Sequence, residues 1–401
     1  MIRHLFKLVW NRKRTSALLI LEIFFSFLVV FVVATLGMYC WDNYRRPLGF
    51  SIKNVWQLRI ETKKSDDQHT PEESATFARL LKEVKSFDAV ESAAGAMGAP
   101  YEFGQYESGM TIHHHDVTME FNEVTPELKD VLGLRLVAGR WFQEGDEKLS
   151  WLPVVIDRDL ARDAFGGQEA IGQRLDEPAP AGVKPRPGMR VIGVVDDFRR
   201  AGELSGPGNY RFDLKRLGNP DDRPGRIILV KVRPGTPASF EEALMARAQR
   251  VAPEWSFEVK PLTQLRESAF RLRLTPLVVG GIVAFFLLLM VGLGLIGVLW
   301  QNLLQRTREI GLRRATGASR AEVHRQVIAE QLILTTLGVA AGTVLVAQIP
   351  ILDLIGFVSG RVFAGGLLVA MVSIYLLSIL CALYPSAMAA RVAPADALRY
   401  E

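Results

Sequence analysis

Four long apolar runs punctuate an otherwise mixed chain. Ala17 to Tyr39 contains one acid, Glu22, whereas Thr275 to Trp300, Gln331 to Leu352 and Val362 to Ala390 contain no charge. A bilayer core of about 30 Å is crossed by about 20 helical residues rising ~1.5 Å each. The pattern therefore predicts transmembrane helices over 17–41, 275–300, 327–352 and 362–390. One such run alone could be a buried helix of a soluble core, but four in one chain argue for a bundle in lipid. Arg12-Lys13-Arg14 before the first run invites a signal-peptide reading. That run, however, is about twice as long as a signal core, and Leu36-Gly37-Met38-Tyr39-Cys40 offers no small-residue cleavage site, so the segment is expected to stay as an anchor.

Charge then orients the spans, because Lys and Arg collect on the cytoplasmic side. Residues 1–16 hold Arg3, Lys7, Arg12, Lys13 and Arg14 and no acid, a sum of +5. Residues 301–326 sum to +4, the tail from Ser386 is neutral, and the whole chain is +5, which leaves −4 for everything else. Both termini and the 301–326 segment are thus expected in the cytoplasm, with 42–274 outside. A charge so placed speaks for a membrane surface and against nucleic acid. Cys40 and Cys381, the 2 cysteines of the chain, fall at opposite faces in this topology and are expected not to pair. Glu22 lies about two turns past Arg14, close enough to the inner interface to snorkel, although an acid at membrane depth is also a functional candidate. Ile2, Leu5, Phe6, Val9 and Trp10 recur at helical spacing among basic residues, which predicts an interfacial helix over 1–16.

The region 42–274 reads differently, as an α+β extracytoplasmic domain. Val55 to Thr62 alternates, Trp56, Leu58 and Ile60 against Gln57, Arg59 and Glu61, a half-buried strand. Thr70-Pro71-Glu72-Glu73 opens a helix whose apolar stripe is Phe77, Leu80, Leu81 and Val84, and a strand follows near Ala89. The same order recurs downstream: a strand over Arg226 to Val232, a helix over Ser239 to Val251 with Phe240, Ala243, Leu244 and Ala248 inward, and a strand over Ser256 to Val259. Two strand-helix-strand units predict a ferredoxin-like sheet with its helices on one face. Residues 98–222 between them then form an inserted mixed α/β subdomain. It contains a strand over Val117 to Val124, a strand-to-helix passage from Leu152 to Phe165, a strand over Met189 to Val195 and a Pro/Gly-rich loop from Pro178 to Gly188.

Candidate chemistry is sparse. His113, His114 and His115 suggest a metal, yet consecutive strand residues point to alternate faces, so only His113 and His115 could converge. Asp196-Asp197 could serve acid-base work, but no second convergent group is evident and a strand-end turn suffices. Leu204-Ser205-Gly206-Pro207-Gly208 faintly echoes an ATPase signature on the wrong side of the membrane. No Gly-x-x-x-x-Gly-Lys-Ser/Thr, Gly-x-Ser-x-Gly or His-Glu-x-x-His occurs, so ATP chemistry is expected from another chain and an enzyme of its own is disfavoured.

The most specific stretch is Gln305-Arg306-Thr307-Arg308-Glu309-Ile310-Gly311-Leu312-Arg313-Arg314-Ala315-Thr316-Gly317-Ala318-Ser319-Arg320-Ala321-Glu322. Gly317 predicts a helix stop and Ser319-x-x-Glu322 a capping box, giving a short, stiff, basic corner. This stretch resembles the signature of the MacB/FtsX-type (type VII) ABC transporter permeases, typified by the macrolide exporter. The ending from Tyr384-Pro385-Ser386 to Ala397-Leu398-Arg399-Tyr400-Glu401 is similar to that family's C-terminus. Leu132-Gly133-Leu134, Ala138-Gly139-Arg140, Phe165-Gly166-Gly167 and Val191-Ile192-Gly193-Val194-Val195 with Asp197-Phe198 resemble its periplasmic core.

The resemblance implies a non-catalytic permease subunit in a bacterial inner membrane, working as a dimer with a second copy or a homologue and served by a separate cytoplasmic ABC ATPase that brings ATP and Mg. By position it places the ATPase-coupling surface on Arg308, Glu309, Ile310, Gly311, Arg313, Arg314, Ala315, Gly317 and Ala318, with the basic side chains facing acids. It implies mechanotransmission: ATP hydrolysis inside moves the domain outside, for efflux or extraction of a drug, peptide or lipoprotein, with a periplasmic adaptor and outer-membrane duct as further partners. The alternative it implies is a regulatory scaffold that activates a cell-wall hydrolase.

Overall fold

The structure is a computed structural model of the 401-residue chain and describes residues 13–62, 70–104, 106–112, 115–176, 187–217, 225–305, 310, 312, 315–352 and 358–389. These residues fall into two compact units, one drawn from 1–42 and 273–401, the other Asn43–Leu272. The predicted interfacial helix, with Ile2, Leu5, Phe6, Val9 and Trp10, lies outside the described residues, as do His113, His114, most of the Pro/Gly-rich loop and the tail from 390.

The membrane unit is built on four long helices: α1 (Lys13–Tyr44), α6 (Leu262–Gln305), α7 (Arg320–Val346) and α9 (Gly360–Ala389), with a single turn, α8 (Gln348–Ile351), after α7. Each includes a stretch long and apolar enough to cross a bilayer. Their outer surfaces keep Leu18, Phe25, Phe286, Leu293 and Leu376 exposed, as lipid-facing helices do, while Ile23, Phe27, Val291, Leu295 and Ile374 are buried between them. Small residues let the backbones approach. Gly338 lies under Ile23 and Gly342 under Phe27, so α7 runs in the direction of α1; Gly294 faces Glu22 and Gly280 faces Val33, so α6 runs opposite. Thr335 Oγ1 donates to Ser378 Oγ at 2.8 Å and Tyr375 Oη to Thr336 Oγ1 at 3.0 Å, which sets α9 against α7. The bundle interior is not wholly apolar: Ser26, Gln331, Thr335, Ser378 and Ser386 are all buried in it. Cys40 and Cys381 are both free thiols.

The second unit is one ten-stranded mixed sheet, in the order β10-β1-β9-β2-β4-β8-β6-β7-β5, with β3 also pairing β4. Its strands are β1 (Val55–Glu61), β2 (Val90–Ala96), β3 (Glu107–Ile112), β4 (His115–Val124), β5 (Leu136–Gly139), β6 (Leu152–Asp157), β7 (Met189–Val195), β8 (Tyr210–Leu214), β9 (Ile227–Val232) and β10 (Ser256–Pro261). The first four in that order are antiparallel throughout and carry α2 (Pro71–Lys85) and α5 (Phe240–Val251), the ferredoxin-like half that the repeat predicts. Thr70 caps α2: its side chain accepts from Glu73 N while the Glu73 carboxylate accepts from Thr70 N. Phe77, Leu80, Leu81 and Val84 from α2 pack with Phe240, Leu244 and Ala248 from α5 over Leu58, Ile228 and Val230.

Two face assignments need correction, one inward and one outward. Ala243 is exposed, and the half-buried Met245 reaches the core instead. Gln57 is buried at 3% exposure because the turn at Tyr101-Glu102 covers that face, and its amide donates to Glu102 Oε1 at 2.6 Å.

The insert is not a separate sheet. It joins at a single pair, Ala96 with Val124, reinforced by Thr125 N donating to Gly95 O at 2.9 Å and Met97 N to Glu123 O at 3.1 Å. Gly95 is required there because a Cβ would sit 2.8 Å from the Phe77 ring. Beyond the join, β6 pairs β7 in parallel and β8 antiparallel, and α4 (Arg158–Phe165) crosses from β6. Asp157 caps α4, accepting from Leu160 N at 2.9 Å. α3 (Leu128–Leu132), β3, β5 and β8 were not anticipated by the pattern.

Candidate functional site

The corner between α6 and α7 holds the coupling residues proposed by position. Arg308, Glu309, Gly311, Arg313 and Arg314 lie outside the described residues. Ile310 and Ala318 are half-buried, while Ala315 and Gly317 are exposed, as is Leu312. The Thr316 N–H donates to Leu312 O at 3.0 Å, a helical bond. Gly317 then takes φ +108°, a left-handed conformation that ends the turn without a Cβ penalty. Ser319 restarts the chain as a helix: its Oγ accepts from Glu322 N at 3.2 Å, and Glu322 Oε2 accepts from Ser319 N at 2.9 Å. Two orphan amides of the helix start are thereby satisfied in both directions, so α7 has a defined first residue.

In the sheet unit, Asp196 and Asp197 follow β7 and do meet convergent groups, which sequence reasoning did not foresee. Asp196 bonds Arg135 and lies 2.9 Å from Arg158 Nη2. Although burial opposes it, the hydrogen bond from Arg135 holds the Asp196 carboxyl below its ordinary range. Asp157 is fully buried, with Oδ1 accepting also from Tyr210 N at 3.1 Å, and burial pushes its carboxyl well upward. Asp159 is raised by burial and by the negative charge of Asp197. No group of three or more His, Cys, Asp or Glu among the described residues has metal-holding geometry. His115, the first residue of β4, pairs with Ile112, the last of β3. The Asp157 carboxyl caps α4, and Asp196 Oδ1 accepts from Asp197 N at 3.1 Å in the turn after β7. The Leu204 to Gly208 stretch lies in a loop; its Ser205 carbonyl, with that of the preceding Glu203, accepts from the Arg199 guanidinium.

A family model described as the MacB-like periplasmic core domain matches residues 16–247, and one described as the FtsX-like permease C-terminal matches residues 281–394. The macrolide export ATP-binding/permease protein MacB of Bordetella avium (strain 197N) is 26% identical over 346 residues, which cover 83% of this chain and 51% of that protein. The uncharacterized ABC transporter permease YknZ of Bacillus subtilis (strain 168) is 23% identical over 306 residues, 72% of either chain. This chain thus spans about half the length of the MacB relative, and more of YknZ. Among solved structures, the periplasmic region of MacB from Actinobacillus actinomycetemcomitans aligns at a TM-score of 0.38 and 15% identity over 54% of this chain and 92% of that one. The two family models follow one another along the sequence, the first over α1 and most of the sheet unit and the second over three of the four long helices, and the chain belongs to the MacB/FtsX-type ABC transporter permeases, multi-pass membrane proteins with an extracellular core domain.

Proposed function

We propose that this permease is a non-catalytic transmitter of motion. A separate cytoplasmic ATPase, which binds ATP and Mg, docks on the basic corner around Arg308, Arg313 and Arg314 and moves the extracytoplasmic sheet unit of a permease dimer. The membrane is the bacterial inner membrane, both termini are cytoplasmic, and the output is efflux or extraction of a drug, peptide or lipoprotein. The observation that carries the proposal is the length of α6. This helix runs over 44 residues with Pro276 inside it, a contour of about 66 Å at ~1.5 Å per residue, roughly twice the bilayer core. Its first residue, Leu262, is fully buried in the core of the sheet unit, and its last, Gln305, adjoins Arg306 of the corner. A displacement delivered at one end therefore has a covalent path to the other along a single helix, in which Pro276 leaves one ladder hydrogen bond unmade.

The basic corner suits an acidic docking partner, where complementary charge sets encounter and register. The test reverses it: Arg313→Glu with Arg314→Glu, in the full chain extracted gently with its partners. Loss of ATPase co-purification at unchanged permease yield is expected, and undiminished co-purification would overturn the docking assignment. Identification of the remaining co-purifying chains separates outputs. An adaptor or outer-membrane duct supports transport, whereas a cell-wall amidase or its activator supports the regulatory alternative.

A further inference from the structure

The chain enters the sheet unit after α1 and leaves it through α6, and both passages are held by one short loop, residues 197–205, that follows β7. The entering segment is held by Arg199, which is 3% exposed. Its Nη1 donates to the carbonyls of Asn43 at 2.8 Å, Arg46 at 3.1 Å and Pro47 at 3.5 Å, and its Nη2 to the carbonyls of Glu203, at 2.7 Å, and Ser205. Arg199 N adds a bond to Leu48 O at 3.1 Å. Gly49, at φ +80°, lies so close to this loop that a Cβ would stand 1.7 Å from the Asp197 carbonyl oxygen. The planar fork of a guanidinium can span carbonyls on two strands of chain at once, which the point charge of a lysine cannot.

The leaving helix is held by charge. Glu203 is 8% exposed, and its Oε1 accepts from Arg266 Nε at 2.5 Å, one turn into α6. Tyr101 Oη donates to the other oxygen at 3.3 Å. Arg266 also stacks 4.9 Å over the Phe270 ring, and Phe270 meets Tyr44 edge-on at 6.3 Å, so the two passages touch beside the loop. Arg199 thus ties the entering segment to its own loop, and on that loop the neighbouring Glu203 carboxylate holds the root of α6.

We infer that loop 197–205 is a latch that makes the entering segment and the root of α6 move as one body, with Arg199 and Glu203 as positioning residues for the transmission. The inference rests on the reading of this permease as a transmitter of motion. It also assigns the inserted subdomain a task, since the latch is its own continuation of β7.

The experiment uses the full chain with its co-purified ATPase in nanodiscs and hydrogen exchange read by mass spectrometry. Arg266→Ala removes the pair from its more exposed end, and Glu203→Gln keeps the shape while removing the charge. Both should raise exchange over 262–268 by about tenfold or more, the loss of a charge-assisted hydrogen bond, while the core strand Ile227–Val232 keeps its protection. Arg199→Lys should raise exchange over 43–48 alone. In the wild type, ATP with vanadate should alter exchange in the sheet unit; in Arg266→Ala that response should vanish although ATPase docking and hydrolysis persist, an outcome that a merely stabilising residue does not produce. Unchanged exchange over 262–268, or a retained ATP response, would overturn the latch. A wild type with no ATP response would instead sink the transmission reading, which the basal exchange data distinguish from failure of the latch itself.

Discussion

The seam between α1 and α7 offers the sharpest quantitative test of the membrane unit. Gly342 sits under Phe27, a side chain with no exposed surface. A Cβ at Gly342 would lie 2.3 Å from Phe27 Cδ1, against an ordinary carbon contact of about 3.5–4 Å. The ring must therefore retreat by more than about 1 Å. It cannot do so freely, because Phe31 stacks beside it with ring centroids 6.4 Å apart. Overpacking of this kind typically costs about 1–3 kcal/mol. Alanine gains about 0.5–1 kcal/mol over glycine within a helix. Gly342→Ala should then destabilise the bundle by up to about 2.5 kcal/mol, the overpacking cost less that gain. Gly297 is the control, since a Cβ there meets nothing within 4 Å. Gly297→Ala should keep the propensity gain and stabilise. The assay is SDS-driven unfolding of the full chain in mixed micelles, followed by tryptophan fluorescence. Phe27→Ala should relieve the clash, so the double variant should show a coupling of about 0.5–3 kcal/mol between the sites. Equal shifts for Gly342→Ala and Gly297→Ala, or strict additivity with Phe27→Ala, would refute the close approach of α1 and α7.

Two further predictions concern the sheet unit. Burial raises the Asp157 carboxyl in the folded chain, so the fold binds more protons there than the unfolded chain and loses stability as pH rises from the ordinary aspartate range of about 4 toward the folded value. Asp157→Asn keeps the cap on Leu160 N and removes that loss. Its stability advantage over wild type, read by thermal unfolding, should be greater at pH 8 than at pH 4, and an advantage independent of pH would count against it. Arg140 grips Asp146 at 2.6 and 2.7 Å, and its hydrogen bonds hold that buried carboxyl below its ordinary range against the opposing effect of burial. Arg140→Ala should cost about 1–2 kcal/mol, allowing for the exposure of the guanidinium, and the cost should shrink as pH falls through the depressed value and the lone carboxyl protonates. An added Asp146→Asn should recover part of the loss at neutral pH.

The elements that were legible in the sequence are those fixed by local rules. Uninterrupted apolar length marked the four long helices; Thr70 with Glu73 and Ser319 with Glu322 marked two helix starts through a four-residue code. The strand-helix-strand repeat gave the ferredoxin-like half because each unit carries its own periodicity. What escaped was set by tertiary partners. β8 begins with Tyr210-Arg211-Phe212, all buried, so the alternation that advertises a strand is missing. β5, only Leu136–Gly139, is too short to show a period. Gln57 was assigned to the wet face because nothing in β1 announces the turn, some 45 residues on, that covers it.

The candidate site divides along the same line. The corner was visible because a stop glycine and a capping box are contiguous, and the structure gives both their expected geometry at Gly317 and Ser319. The latch was invisible for a physical reason. Arg199 donates to five backbone carbonyl oxygens, and every residue has one, so these partners carry no mark in the sequence. Glu203 and Arg266 are 63 positions apart, and only the return of α6 to the loop after β7 makes them neighbours. A charge that pairs with side chains leaves a trace in composition, whereas a charge that pairs with backbone leaves none. Force-bearing junctions of the second kind depend on chain path more than on residue type at the accepting side. Substitutions at Asn43, Arg46 or Pro47 that preserve the backbone should therefore spare the grip, while Arg199 itself tolerates no replacement lacking a planar, forked donor.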